Sequence, residues 1–430
     1  MPLYDDLEQR ALIAQSTSPA VRAALNTQKL TAYIGFDPTA PSLHIGGFLP
    51  VTMLMRLQRA GHRPIALVGG GTGLIGDPSG RESERSMLSL DVLEQNVAAL
   101  RSQLERFLDF GGDRGALLVN NAEWLGKLDL LGFLRDIGKH FSVNAMIARD
   151  SVKMRLEARE QGISFTEFSY MLLQSYDYLA LFDRFGCSLQ MGGSDQWGNI
   201  VSGTDLVRRL RGAETHGLTF PLITRADGKK FGKSEQGNVW LSDKLTTPYD
   251  FYQFWLNTAD TDVIRYLKFF TFLSLEEIAD IERKLVEAPQ AREAQRILAR
   301  TMTEMVHSKE ATLRIEQTSA VLFDETADWR ALSPDQLTEA FASSPSTTVD
   351  RDRLGTPAAE LSLLLSEAGL CQSKTQARRA IQEGGVYVNG KKITDIAARI
   401  AEPDLLAGTF VVLRRGKKTF HVLRFGAPVS

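Results

Sequence analysis

Two cysteines, Cys187 and Cys371, are all that the 430 residues contain. That scarcity excludes a disulfide framework and a four-thiolate zinc site, and it points to a reducing cytoplasm. Long apolar runs are missing too: no stretch reaches the roughly 18 uncharged apolar residues that a membrane helix needs. The opening MPLYDDLEQR is acidic, with no basic segment ahead of an apolar core, so no secretion signal is expected. Internal repeats and long low-complexity tracts are also lacking. What remains is ordinary, 43% hydrophobic and 24% charged residues, as in globular proteins. The length calls for two or three domains, each with its own core.

The formal net charge of −2 hides an asymmetry. Residues 351–430 hold 13 Lys plus Arg against 7 Asp plus Glu, a net of +6, which leaves −8 for the remainder. A basic tail on an acidic body suggests a polyanionic partner for the tail, although charge alone serves a solvated basic surface equally well.

From Lys29 to about Phe220, β-rich runs such as Ala32–Phe36 and Ile65–Val68 alternate with helical patterns at Leu90–Phe107 and Phe165–Leu181. Such alternation predicts a parallel α/β sheet. Residues 246–325 read as mainly helical. The stretch 343–350, rich in Ser, Thr and Pro, reads as a flexible linker. The boundaries expected are therefore a Rossmann-like parallel-sheet domain at 1–220, a mainly helical domain at 221–342, a linker at 343–350 and a small α+β domain at 351–430.

Four local patterns carry chemistry. The strand ending at Phe36 runs through Asp37-Pro38-Thr39 into His44-Ile45-Gly46-Gly47 and then an apolar helix reaching about Ala60. Backbone N–H groups and the helix dipole make such a terminus an anion site, to which Thr39 and His44 add donors. Ser42 as a plain helix cap, with His44 on the surface, is the competing structural reading. Next, Gly71-Thr72-Gly73-Leu74-Ile75-Gly76 matches a dinucleotide fingerprint. However, Asp77-Pro78-Ser79-Gly80 follows at once and disfavours the helix that the fingerprint must open, so these glycines read as a close-packed loop presenting Asp77 to a cation.

Third, Tyr170, Gln174 and Asp177 share one face of an otherwise apolar helix, as a polar cavity lining requires. Leu189–Trp197 then reads as a strand ending in a Gly-Gly-Ser-Asp-Gln loop, with Asp195 suited to a ribose hydroxyl. Last, Asp227-Gly228-Lys229-Lys230-Phe231-Gly232-Lys233-Ser234 sets three lysines among glycines, as a cationic loop closing on phosphates would, or as an ordinary charged surface turn.

Taken together, His44–Gly47 and Lys230–Ser234 resemble the HIGH and KMSKS signatures of class I aminoacyl-tRNA synthetases. With Tyr33–Thr39, Gly76–Ser79, Phe165–Tyr170 and Gly192–Trp197 the resemblance is specifically to bacterial tyrosyl-tRNA synthetases and spans nearly the whole chain. The tail, from Ser373–Arg379 through Gly385–Gly390, resembles an RNA-binding module shared with a small-subunit ribosomal protein.

The resemblance implies an enzyme that activates tyrosine with Mg-ATP and passes it to the 3′ end of its tRNA, working in the cytoplasm as a homodimer. It places catalysis and a dimer-forming insertion around 120–165 in residues 1–220, the lysine loop and tRNA binding in the helical domain 221–342, and RNA binding in 351–430. No protein-ligated metal is expected. Tyr33 and Asp177 would hold the phenol, with Asp77, Tyr170, Gln174 and Gln196 completing the tyrosine site. Thr39, His44, Lys230 and Lys233 would serve catalysis. Gly35, Asp37, His44, Gly46, Gly47, Gly193, Asp195, Lys230, Phe231, Lys233 and Ser234 would contact the nucleotide. In the tail, Lys374, Arg378, Arg379, Arg414, Arg415, Lys417 and Lys418 would meet RNA. Two positions depart from the family: Gly47 stands where a polar residue, often histidine, is usual, and Ile34 where some relatives carry cysteine. A tryptophan-activating relative and a non-catalytic RNA-binding regulator are the alternatives. The Tyr33 and Asp177 pair argues against the first, and the lysine loop and polar stripe argue against the second.

Overall fold

The Val/Ile/Leu-rich runs of the first half become the interior strands of a parallel sheet, and their continuous burial follows from being covered on both faces. In the computed structural model the described residues are 1–79, 88–149, 152–153, 156, 162–228, 231–234, 237–324, 326–416 and 419–426. They form two units, Met1–Ser242 with Thr258–Leu298, and Asp243–Asn257 with Ala299–Ser430.

In the first unit the strands are β1 (Gln15–Ser16), β2 (Thr31–Phe36), β3 (Arg63–Val68), β4 (Leu117–Asn120), β5 (Cys187–Gly193) and β6 (His216–Phe220). Their order is β1-β6-β5-β2-β3-β4, parallel except for β1. The helices that matter to the site are α1 (Phe48–Arg59), α2 (Leu90–Leu104), α3 (Phe165–Phe185), α4 (Trp197–Arg211) and α5 (Asp260–Phe270). After β4 the chain crosses back to β5 on the other side of β2. The order thus reverses between β2 and β5, and a crevice opens there beyond the carboxyl ends of the strands.

Helix α3 shows how local sequence sets an element. Ser164 caps it by accepting the Glu167 N–H, and Gly186 ends it in the left-handed conformation at φ 62°. Between these ends Tyr178 packs edge-on against Tyr33 of β2, with ring centroids 5.3 Å apart, and its hydroxyl donates to the His216 carbonyl at 2.7 Å. These contacts lock α3 to the sheet.

Helix α5 is tied to the same body by arginines. Its last carbonyls lack intrahelical partners. Arg56 of α1, only 5% exposed, donates to Thr271 O at 2.6 Å and to Lys268 O at 3.2 Å. Arg10 donates to Leu273 O at 2.7 Å and is itself held by Asp6 at 2.9 Å, while Arg59 stacks over Phe272 at 3.5 Å. Cations at the negative end of a helix stabilise it through both dipole and hydrogen bonds. For this reason residues 258–298 group with the sheet, whereas the sequence had drawn one helical domain from 221 to 342.

The second unit carries β9 (Ser346–Asp350), β10 (Val386–Val388), β11 (Lys391–Ile393), β12 (Phe410–Arg415) and β13 (Thr419–Gly426), in the order β11-β10-β12-β13-β9. Helices Leu361–Glu367 and Lys374–Gln382 pack on this sheet around Leu364, Leu365, Ile381, Val411 and Leu423. Ser346–Asp350 corrects the linker reading: Thr347, Thr348 and Val349 pair parallel with β13, Val349 is buried, and Thr347 Oγ1 meets His421 Nε2 at 2.8 Å. The β-branched run outweighed the Ser and Pro around it.

Removing the Arg56 guanidinium leaves the Thr271 carbonyl without its side-chain donor and the Lys268 carbonyl with only the long contact from Arg10 at 3.4 Å, while Asp6 keeps Arg10. Arg56→Met is expected to lower unfolding stability by about 2 kcal/mol, the order of a buried carbonyl left without its donor. Denaturant titration against Arg59→Met, whose loss is a half-exposed stacking contact, is the measurement. Equal small losses would contradict the role given to Arg56.

Candidate active site

The carboxyl ends of β2, β3, β5 and β6 and the polar face of α3 enclose one cavity of about 360 Å³. Its inner end is lined by Tyr33, Asp177, Gln190 and Asn121, and its middle by Asp77, Tyr170, Gln174 and Gln196. The outer part carries Gly35, Asp37, Thr39, His44, Gly46, Gly47, Gly193 and Asp195, with Phe220–Ile223 supplying an apolar flank. Ile34 lines it as well. The stripe read on α3 therefore does converge on a cavity, joined by the loops at residues 37–47 and 192–196.

Asp177 lies at the bottom, 2% exposed. Its two oxygens accept Trp124 Nε1 at 2.6 Å and Asn121 Nδ2 at 2.9 Å. Burial pushes its pKa up to about 7, the two donors pulling against that shift. Beside it the Tyr33 hydroxyl is buried and has no hydrogen-bond partner among the described residues, and neither has Gln190 Oε1. Burial and the neighbouring Asp177 hold the Tyr33 phenol well above its ordinary pKa, so it is a neutral donor. Unpaired buried polar groups are costly unless something else satisfies them.

Further out the polar groups form a chain. Gln196 Nε2 donates to Asp77 Oδ2 at 2.7 Å, Asn199 Nδ2 donates to Gln174 Oε1 at 3.0 Å, and Ser79 N donates to Asp77 Oδ1 at 2.9 Å. Tyr170 O–H donates to Asp37 Oδ2 at 3.1 Å, and Thr72 O–H donates to Asp37 Oδ1 at the same distance. Four carboxylates, Asp37, Asp77, Asp177 and Asp195, thus line the cavity, with no lysine or arginine among its described lining residues. Burial raises the pKa of Asp195 as well. A site so charged favours a cation.

At the outer rim His44 precedes a single 3₁₀ turn, Ile45–Gly47, that leads into α1. Its Nδ1 accepts the Gly47 N–H at 3.3 Å, and partial burial lowers its pKa, leaving Nε2 as a neutral donor. Gly46 has no room for a side chain, since a Cβ would lie 2.8 Å from the His44 ring, whereas one at Gly47 would meet only Leu43 at 3.5 Å. Ser42 does not cap α1: its hydroxyl accepts Gln103 Nε2 at 2.8 Å and the Ser242 N–H at 3.2 Å. Thr72–Leu74 is likewise a lone 3₁₀ turn, held by Asn121 Oδ1 accepting the Gly71 N–H at 2.7 Å. The glycine run does not open a helix, which removes the dinucleotide reading.

Lys233 and Phe231 are not among the described lining residues, and Lys230 and the Ser234 side chain lie outside what the structure describes. Lys233 and Ser234 form β7, paired with β8 (Gly237–Asn238). The Phe231 ring is buried between Tyr266 and Phe270 of α5, so any nucleotide contact from this residue is left to its backbone.

Sequence reading missed Asn121, Trp124, Gln190 and Asn199. The signal present was an Asn pair at the end of a strand, Asn120-Asn121, a position where ligands and their supports gather in open α/β sheets.

A model of tRNA synthetases class I (W and Y) matches residues 25–324, and one of the tyrosine–tRNA ligase SYY-like C-terminal domain matches residues 336–423. The chain is 49% identical to the tyrosine–tRNA ligase of Roseiflexus castenholzii over 423 residues, covering 98% of this chain and 99% of that one. To the ligase of Geobacillus stearothermophilus it is 50% identical over 428 residues, 99% of this chain and 100% of that one. The chain belongs to the tyrosine–tRNA ligase family. Among solved structures it is similar to a C-terminally truncated Aspergillus nidulans mitochondrial tyrosyl-tRNA synthetase, at 32% identity and TM-score 0.68, covering 75% of this chain and 94% of that one.

The raised Asp177 pKa has a thermodynamic signature. The native state keeps a proton that the unfolded chain, with an ordinary value of 3.8, has released. This contribution to stability is present in full below pH 3.8 and is lost as pH rises through about 7. Unfolding free energies measured across that window are expected to fall with pH in the wild type and to lose that slope in Asp177→Asn. An unchanged slope in the variant would refute it.

Proposed function

We propose that the inner end of the cavity binds the tyrosine phenol between Tyr33 and Asp177, and that Asp77, Tyr170, Gln174 and Gln196 receive its ammonium group. The observation carrying this reading is the buried, unpartnered Tyr33 hydroxyl facing a carboxylate at the bottom of a cavity that is otherwise anionic. A phenol satisfies both groups, donating to Asp177 and accepting from Tyr33, while Asn121 and Trp124 hold Asp177 in place. An indole N–H would leave the Tyr33 donor unmet.

The reaction is that of the family: tyrosine is activated with ATP and transferred to tRNA. In the first step a tyrosine carboxylate oxygen attacks the α-phosphorus, the bond to the β-phosphate oxygen breaks, and pyrophosphate leaves with the electron pair. No enzyme nucleophile is needed; positioning and charge stabilisation supply the catalysis. Thr39, His44 and the start of α1 receive the phosphates, with Mg²⁺ arriving on the nucleotide. Gly35, Asp37, Gly46, Gly47, Gly193 and Asp195 take the nucleotide and adenylate. Lys233 and Lys230, with Ser234, act on the departing pyrophosphate. In the second step a ribose hydroxyl of the tRNA 3′ end attacks the acyl carbon and releases AMP.

The basic tail, residues 351–430, serves tRNA, which the match of residues 336–423 to the ligase C-terminal domain supports. Lys374 and Arg378 share Glu360 at 2.7 and 3.0 Å, and Arg379 pairs with Glu383 at 2.7 Å. Arg414 lies 3.7 Å over the Tyr387 ring. Arg415 donates to Leu370 O at 2.6 Å and so has a structural duty besides. Lys417 and Lys418 lie outside the described residues. For the homodimer, the apolar side chains exposed at Leu130 (68%), Leu131 (75%), Leu134, Val143 and Ile147 favour an interface there. No helix among the described residues is long and apolar enough to cross a membrane, and two free buried cysteines accord with a cytoplasmic setting.

Asp177→Ala should weaken transition-state binding of tyrosine by about 1.5 to 3 kcal/mol, the worth of a buried hydrogen bond to a charged group. It should also narrow the ratio of kcat/KM for tyrosine over phenylalanine. Amino-acid-dependent pyrophosphate exchange with both substrates is the assay, and an unaltered ratio overturns the phenol assignment.

For the tail, Arg378→Gln with Arg379→Gln should leave tyrosine-dependent pyrophosphate exchange intact and weaken tRNA binding. The logarithmic salt slope should flatten by about 0.7 to 0.9 for each lost phosphate contact. Identical salt slopes in the variant and the wild type would remove these arginines from the interface.

A further inference from the structure

The lysine-loop residues assigned to pyrophosphate lie on a segment that one helix grips on both sides. Ahead of the loop, the buried Asp262 carboxylate of α5 accepts the Ala226 N–H, with both oxygens at 3.1 Å. It also accepts Arg265 Nη2 at 2.6 Å, and the same guanidinium nitrogen donates to the Thr224 carbonyl. Further on, the Phe231 ring stacks on Phe270 of α5 at 5.5 Å between centroids and lies 4.9 Å from Tyr266. Only four residues, 227–230, separate the two anchors.

The far side of the loop is seated on the His44 turn. Gly232 has φ 85°, and a Cβ there would come within 3.3 Å of Gly46 N. Val239 N donates to Gly232 O at 3.0 Å, and Ile45 N donates to Val239 O at 2.9 Å. Helix α5 is itself pinned to α1 by Arg56, so the helix that begins at the phosphate site and the helix that holds the loop move as one piece.

A glycine- and lysine-rich segment left to itself would spread over many conformations. The carboxylate of Asp262, at 3% exposure, is spent on the Ala226 N–H and on Arg265, whose guanidinium holds the Thr224 carbonyl, so both of its partners serve the segment entering the loop. We propose that α5 is the rail that sets Lys233 against the phosphate end of the cavity, with Asp262 as a positioning residue for adenylate formation. This rests on the reading that Lys233 acts on the departing pyrophosphate.

The full-length enzyme is tested by single-turnover adenylate formation at saturating tyrosine and ATP, with equilibrium tyrosine binding measured on the same variants. Asp262→Ala is expected to slow the step about tenfold or more while changing tyrosine affinity less than about twofold, since the loss falls on the transition state. Asp262→Asn, which keeps an acceptor for Ala226 and loses the charge facing Arg265, should fall between. In a Lys233→Ala background the Asp262→Ala change should add little, because residues acting through one group are non-additive.

Losses that multiply in the double variant, equal losses of rate and tyrosine affinity, or a full rate in Asp262→Ala would each overturn the proposal. Should Asp262→Ala fail to fold, Asp262→Asn and Phe231→Leu carry the same comparison. The two readings fail separately. An undiminished rate in Lys233→Ala sinks the role of the loop and this inference with it, whereas a slow Lys233→Ala beside fully active Asp262 variants sinks only the rail.

Discussion

A carboxylate at the bottom of a parallel sheet is the constraint around which the first unit is arranged. Asp177 sits where ionisation is costly, and it is tolerable because Trp124 Nε1 and Asn121 Nδ2 point at it from the end of β4. Those two bonds do more than offset burial. Asn121 also donates to Thr72 Oγ1 at 2.9 Å and accepts the Gly71 N–H, and Thr72 in turn donates to Asp37. The strand ends of β2, β3 and β4 are thereby tied to α3 through one buried polar network. Moving any member opens an unpaired group elsewhere, which gives the cavity a single shape.

The parts of this that were legible in the sequence share a property: they are periodic, or they are punctuated by glycine and proline. Tyr170, Gln174 and Asp177 were visible as polar residues at helical spacing in an apolar helix, and the His44 segment as a loop at an element end, whereas Lys233 and Ser234, read as part of a loop, stand in β7. The supporting amides were not, because a lone Asn121, Gln190 or Asn199 has no pattern; their meaning comes from strands brought together by a crossover that periodicity does not specify. Trp124 was hidden similarly, its indole N–H being spent on a residue 53 positions away. The reading of 343–350 as a linker failed for a different reason. Thr347, Thr348 and Val349 prefer strands, and a partner strand some seventy residues later decided the matter.

The same point holds for domain limits. Helical periodicity after 246 correctly gives helices, yet which body a helix joins is set by a few side chains with partners far along the chain. Arg56 looks anomalous in an apolar helix until it is seen facing the carbonyls at the end of α5. With Arg10 it draws 258–298 to the sheet, while Asp243–Asn257 and Ala299 onward group with the tail.

The charge of the cavity bears on how two substrates of opposite character share it. Four carboxylates, with no lysine or arginine among the described lining residues, attract an ammonium group and repel a triphosphate. In the proposed pose tyrosine brings its ammonium charge to the middle of the cavity and its carboxylate toward the outer rim, where the donors are the neutral His44 ring and backbone N–H groups. Under the proposed mechanism the nucleotide's charge is met mainly from outside the cavity, by the Mg²⁺ that accompanies it and by the lysine loop. That division has a mechanistic advantage. A lysine built into the cavity wall would bind ATP in the ground state as firmly as in the transition state and would pair with the carboxylates meant for the amino acid. A lysine on a separate segment, as proposed for Lys233, would keep its charge for the moment when the pyrophosphate develops its own.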